Sequence, residues 1–120
     1  MSNSYRQLKV WQVGMEIAKA TYLLAAELPD SEKFGLVSQI RRSAVSIPSN
    51  IAEGTSRSSN KDFKRFLEIA LGSCYELQTQ LLLIQELGMG NEAQIADCLK
   101  LTEDNQRMLF GFIKTITNEG

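Results

Sequence analysis

The sequence predicts an all-α protein, an up-down antiparallel four-helix bundle, and three observations predict it. Apolar residues recur three or four apart along four long stretches, the spacing that lines one face of a helix. No stretch alternates β-branched and polar residues with the period of two that a half-buried strand needs. The two prolines, Pro29 and Pro48, and the short Gly-Met-Gly-Asn run at 88–91 leave room for long helices joined by tight turns. At 120 residues the chain is sized for one domain with one modest core, placed at residues 5–117.

The first helix is expected from Arg6 to Leu28, where Pro29 ends it and Asp30 and Ser31 begin the turn. It carries two apolar stripes. Leu8, Trp11, Met15, Ala18, Tyr22 and Ala25 form one; Val10, Ile17, Leu24 and Leu28 form the other, displaced around the helix. One stripe is enough to line the core of a four-helix bundle. The surplus predicts contact with a neighbouring subunit, assigned to Val10, Trp11, Ile17 and Leu24.

The second helix is expected from Glu32 or Phe34 to Ala52, closed near Gly54, a residue suited to the left-handed turn that ends helices. Leu36, Ile40, Ala44, Ile47 and Ile51 keep helical spacing straight through Pro48. A proline there removes a backbone donor and crowds the Ala44 carbonyl, which costs about 3 kcal/mol in an ordinary helix interior. This helix is therefore predicted to be interrupted or kinked at Pro48, with Ser43, Ser46 and Ser49 near the freed carbonyls. With Ala44 and Ala52 these serines form a strip of small residues that lets another helix come close.

A polar loop leads to the third helix, whose start carries Ser59 as cap and Asp62 three residues on, a pairing that satisfies two otherwise unpaired backbone donors. Its core stripe is Phe63, Leu67, Ala70, Cys74, Leu77, Leu81 and Ile84, and it ends at Gly88. The fourth helix is expected from the cap Asn91 to about Thr117, using Ile95, Leu99, Leu109, Phe112, Ile113 and Ile116. Between Leu99 and Leu109 the core positions fall on Thr102, Asn105 or Gln106. They form either a polar layer that sets register or a solvated stretch of a helix that overhangs the core.

The chain has no histidine, which removes the commonest general base, histidine-dependent triads and nearly all zinc sites. Di-iron bundles need Glu-x-x-His on each of two helices, so Glu68 and Glu76 read as exposed charges. No phosphate-cradling glycine motif occurs. Cys74 and Cys98 lie in apolar helical patterns without CxxC spacing and read as core thiols. These features predict a non-enzymatic protein with no catalytic residues, no metal and no cofactor. The N-terminal residues lack the apolar stretch of a signal peptide and no run approaches a membrane span. A cytoplasmic location, where thiols stay reduced, is the expectation.

Net charge is only −1, yet the charges are unevenly placed. Residues 1–65 hold ten Lys and Arg against six Asp and Glu, and residues 66–120 hold three against eight. Such asymmetry either guides a polyanion to one face or is neutralised within the bundle and between subunits. The cations concentrate in Arg41, Arg42, Arg57, Lys61, Lys64 and Arg65, opposed by Glu53 and Asp62. These six are the candidate nucleic-acid-binding residues. Arg41 and Arg42 lie about four turns from the others, so the patch divides in two, and their forks suit carboxylates such as Glu53, Glu68 or Glu76 as well as phosphates. Base stacking and sequence readout are not expected of these cations.

Three strings carry a resemblance: LKVWQ at 8–12, SQIRRSAVSIPSNIAEG at 38–54 and FLEIALGSCYELQTQL at 66–81. Together they closely resemble the bacterial four-helix-bundle proteins encoded within 23S ribosomal RNA intervening sequences. The resemblance implies an up-down bundle that assembles into a ring-like homopentamer with a role in binding structured RNA, such as 23S rRNA or its intervening sequence. A related branch, the accessory proteins of diversity-generating retroelements, forms similar pentamers that engage nucleic acid and a reverse transcriptase. It implies an alternative, a protein-interaction scaffold that holds a polymerase.

Overall fold

The computed structural model describes residues 4–119. Four helices, α1 (Lys9–Ala25), α2 (Leu36–Thr55), α3 (Asn60–Glu86) and α4 (Glu92–Glu119), form a rod of 46 × 20 × 20 Å, with no strand among the described residues. Each helix packs on its neighbours in sequence and α1 closes on α4, with no close backbone approach across the diagonals among the described residues. The section is therefore square. The α1/α2 and α3/α4 pairs make opposite flanks.

Local signals set most boundaries. Ser59 Oγ accepts from the Asp62 backbone N–H at 3.1 Å, and Asn91 Oδ1 accepts from the Gln94 N–H at 3.0 Å, so α3 and α4 start where side chains satisfy their first free donors. Gly88 (φ 70°) and Gly90 (φ 77°) turn the chain from α3 into α4 through the left-handed region that glycine enters without strain. The first helix is shorter than expected at both ends. Leu8 adopts extended backbone after a 3-10 turn at Tyr5–Gln7, and Tyr5 packs edge-on against Trp11 at 5.2 Å. At its other end α1 stops at Ala25, and α2 begins after a second 3-10 turn at Asp30–Glu32. There the Glu32 carboxylate accepts from the Leu36 N–H at 3.3 Å, a cap that Gly35 cannot supply.

α2 runs through Pro48 as one helix, with Pro48 buried, so of the expected interruption or kink the interruption does not occur. Gly14 of α1 stands opposite: a Cβ there would lie 3.4 Å from the Pro48 Cα, so a glycine lets α1 come up against the proline turn. Gly54 lies inside α2 without a positive φ, so it does not close the helix by a left-handed turn. Its role is packing, developed below. The small-residue strip does bring α2 close to α3, through Ser46 and Ser73 hydroxyls 2.8 Å apart and through Ser43 Oγ donating to Gln80 Oε1 at 2.9 Å.

The predicted subunit interface is also corrected. Val10, Ile17 and Leu24 are buried in the core of their own bundle, Ile17 and Leu24 completely, and Trp11 is half-buried. They face inward with Val13, Thr21 and Leu28. Full burial of such side chains contributes about 1.5–3 kcal/mol each, which fixes this stripe as the inward one. The other stripe supplies the exposed apolar surface, at Met15 and Tyr22.

Thr102 and Asn105 are both fully buried, so the polar layer in α4 lies inside the bundle. Thr102 Oγ1 donates to the Cys98 carbonyl at 2.7 Å, and Asn105 Nδ2 donates to the Val10 carbonyl at 3.3 Å, tying α4 to α1. Cys74 and Cys98 are free and buried. Burial pushes the Cys74 thiol up to about 12 and raises Cys98 as well, so neither is a thiolate at neutral pH.

Candidate nucleic-acid interface

In an antiparallel bundle the start of α1, the end of α2, the start of α3 and the end of α4 share one end. Gly54 sets the geometry there. A Cβ at this position would stand 2.9 Å from Phe63 Cδ1 and 2.9 Å from Phe66 Cβ, so only glycine lets the last turn of α2 lie directly on the first turns of α3. Phe63 then meets Phe112 of α4 edge-on, with centroids 5.6 Å apart and ring planes at 89°. Phe66 lies alongside, 8% exposed.

Hydroxyls finish α2. Thr55 Oγ1 donates to the Ala52 carbonyl and Ser56 Oγ to the Glu53 carbonyl, both at 2.7 Å, and the Arg57 N–H reaches the Gly54 carbonyl at 3.1 Å. This brings Arg57 back over the corner. Its guanidinium donates to the Glu53 carboxylate at 2.7 Å and sits over the Phe66 ring, 4.6 Å from the centroid. Arg65 sits over the same ring at 5.2 Å. Lys61 and Arg65 are exposed and Lys64 is half-buried. Two clefts open at this end. One, of about 420 Å³, has Leu8, Thr55, Arg57, Asn60, Phe63 and Phe112 in its wall; the other, of about 300 Å³, lies between Lys61, Lys64 and Ile116.

Four of the six candidate cations, Arg57, Lys61, Lys64 and Arg65, thus share one end, and Arg41 and Arg42 do not. Arg41 sits over the Tyr22 ring at 4.9 Å with its Nε buried and unpartnered, near the other end of α2. Neither arginine pairs with Glu53, Glu68 or Glu76: the ion pairs among the described residues are Arg57–Glu53, Arg107–Asp104 and Lys100–Asp104. The topology adds cations that the linear reading missed. Arg6 and Lys9 enter from the start of α1 and Lys114 from the end of α4, against Asp62, Glu119 and the already paired Glu53, while Glu16 and Asp104 share a groove with Lys9. Their signal was present, because odd helix starts and even helix ends always share an end in this fold. At the far end Glu27, Asp30, Glu32, Glu86 and Glu92 stand with Lys33 in the turns and terminal turns, and Arg41 and Arg42 follow in the second turn of α2.

The sequence profile of the 23S rRNA-intervening sequence proteins matches residues 6–111. The chain belongs to that family. Its fold is shared with the crystal structure of a protein of unknown function from the S23 ribosomal protein family of Bacteroides thetaiotaomicron, with a TM-score of 0.78 and 30% sequence identity. The similarity covers 88% of this chain and 98% of that one. No curated protein matches the sequence. The family match includes Gly54, Phe66 and all six candidate cations. No helix among the described residues is long and apolar enough to cross a membrane.

Proposed function

We propose that this family member is a non-enzymatic, cytoplasmic, homo-oligomeric bundle that holds the backbone of structured RNA, such as 23S rRNA or its intervening sequence, at its basic end. The observation that carries this reading is the gathering of Arg57, Lys61, Lys64 and Arg65, joined by Arg6, Lys9 and Lys114, at one end of a rod whose acidic turns lie at the other. A molecule of net charge −1 presents a polyanion with one attractive end only because its charges are sorted in this way. The family's link to a ribosomal RNA segment supports RNA as that polyanion.

The contact is to phosphates rather than bases. Phe66 is buried and Phe63 is half-buried against Phe112, so the rings beside the arginines are packed between helices and not splayed for bases. The pentameric state is carried over from the family resemblance, and the exposed apolar residues Met15, Tyr22 and Val45 on one flank, with Tyr75, Leu82 and Phe110 on the opposite one, support assembly. In a cyclic ring the basic end repeats once per copy, which multiplies the phosphate contacts.

Binding of a short RNA duplex, followed by fluorescence anisotropy, tests the reading. The expected result is an affinity that falls by orders of magnitude between about 50 and 200 mM salt, and is lost in the Lys61→Glu, Lys64→Glu, Arg65→Glu variant. Binding that is insensitive to salt, or unaltered in the triple variant, refutes it.

A further inference from the structure

Two of the cations at the basic end are arginines laid over one ring. Gly54 makes this possible: without a Cβ at that position, Phe66 is pressed against the end of α2 and held nearly buried. Arg57 reaches Phe66 from the α2–α3 turn and Arg65 from α3 itself, with guanidinium carbons 4.6 Å and 5.2 Å from the ring centroid. A guanidinium attracted to a ring through its face keeps its N–H groups, which lie in its own plane, available to oxygen acceptors. Arg57 gives part of its fork to Glu53, which fixes its position further. Arg65 has no carboxylate partner among the described residues. Lys61 and Lys64 make no comparable contact with a ring.

We infer that Phe66 is a positioning residue that holds Arg57 and Arg65 as a pair of preset phosphate forks, so that this end recognises phosphodiester oxygens through arginine geometry and not through charge alone. The inference rests on the RNA reading above and divides the site by chemistry. Lys61 and Lys64 supply screened, mobile charge; Arg57 and Arg65 supply directed hydrogen bonds that lose little side-chain freedom on binding. Immobilising a free, rotamer-rich side chain opposes binding by about 0.5–1.5 kcal/mol, and two forks already held in place avoid that cost twice. Replacing both arginines by lysine keeps the charge but removes the fork and the stacking.

The test measures affinity and its salt dependence for the same RNA duplex, on protein whose fold is verified by circular dichroism and thermal unfolding. The Arg57→Lys, Arg65→Lys variant and Phe66→Leu are each expected to bind about tenfold more weakly while the slope of log affinity on log salt stays at the wild-type value, because no charge is lost. Phe66→Tyr, which restores the ring, is expected to recover wild-type affinity. Lys61→Arg with Lys64→Arg is expected to bind no more weakly than wild type. If wild type binds with steep salt dependence and the double-lysine variant binds equally well, this inference fails and the RNA reading stands. If wild type does not bind, both fall. The double-lysine variant replaces no buried side chain, so it still tests the arginine forks where Phe66→Leu does not fold.

Discussion

At the scale of single residues, two glycines do opposite things. Gly54 and Gly72 both lie inside helices. A methyl group on Gly54 would collide with Phe63 and Phe66 at 2.9 Å, whereas one on Gly72 meets nothing within 4 Å. Gly54→Ala is therefore expected to destabilise the fold by about 1–3 kcal/mol through overpacking, outweighing the gain in helix propensity. Gly72→Ala is expected to stabilise it by about 0.5–1 kcal/mol, since only propensity changes. Thermal unfolding of the two variants checks both signs; equal shifts would refute the packing role of Gly54. That role was hidden from the sequence, where Gly54 has the look of a helix terminator. Its neighbours along the chain say nothing about Phe63 and Phe66 arriving from the next helix.

At the scale of the element, the polar layer of α4 shows how a helix is held in register. Thr102 satisfies its hydroxyl within its own helix, so it is quiet there. Asn105 reaches across to the Val10 carbonyl, and its Oδ1 is buried with no partner. An amide in this setting ties α1 to α4 at one point of their length, and the unpaired oxygen lowers stability. Asn105→Asp is the sensitive probe. It places a carboxylate in the core against a carbonyl oxygen, and burial raises its folded pKa above its unfolded value of about 4. A raised folded pKa means the loss of stability is absent below that unfolded value and grows as pH rises above it. At neutral pH the variant is expected to lose about 3 kcal/mol or more, with recovery on acidification, read from denaturant midpoints across pH. A variant as stable as wild type at pH 7 would show that the site is wet. The existence of a polar layer was legible from the spacing of Thr102, Asn105 and Gln106, but its choice between core and overhang was not. Helical spacing reports a face, not what lies opposite it.

At the scale of the whole molecule, the rod has sorted charge along its length and carries exposed apolar residues on opposite flanks. Met15 and Tyr22 of α1 with Val45 of α2 lie on one flank; Tyr75 and Leu82 of α3 with Phe110 of α4 lie on the other. Two different apolar surfaces on one subunit suit a heterologous contact, the kind that closes into a ring when the rotation allows. Under the proposed assembly, Met15→Glu combined with Tyr22→Glu is expected to give a folded monomer in sedimentation velocity at micromolar concentration. The wild type should sediment as the oligomer. A wild type that sediments as a monomer, or a double variant that assembles unchanged, overturns it. The surplus of apolar residues on α1 was legible in the sequence, but three of the four residues assigned to the interface, Val10, Ile17 and Leu24, belong to the stripe that faces the core. Both have helical spacing, and periodicity alone does not choose which of them faces the other three helices.

What the sequence determined by itself was the set of rods: four amphipathic helices, the caps at Ser59 and Asn91, the core stripe of α3 and the turn through Gly88 and Gly90. Each depends on residues within a turn or two of one another, so backbone geometry and side-chain spacing suffice to read it. Only the tertiary structure decided that Val10, Ile17 and Leu24 point inward, that Gly54 is a point of contact, and that Arg57 and Arg65 meet on one ring. Arg6, Lys9 and Lys114 joined the basic end in the same way, brought from opposite termini by antiparallel packing. Those facts belong to the mutual arrangement of rods, which is set by the burial of whole faces over long separations in the chain.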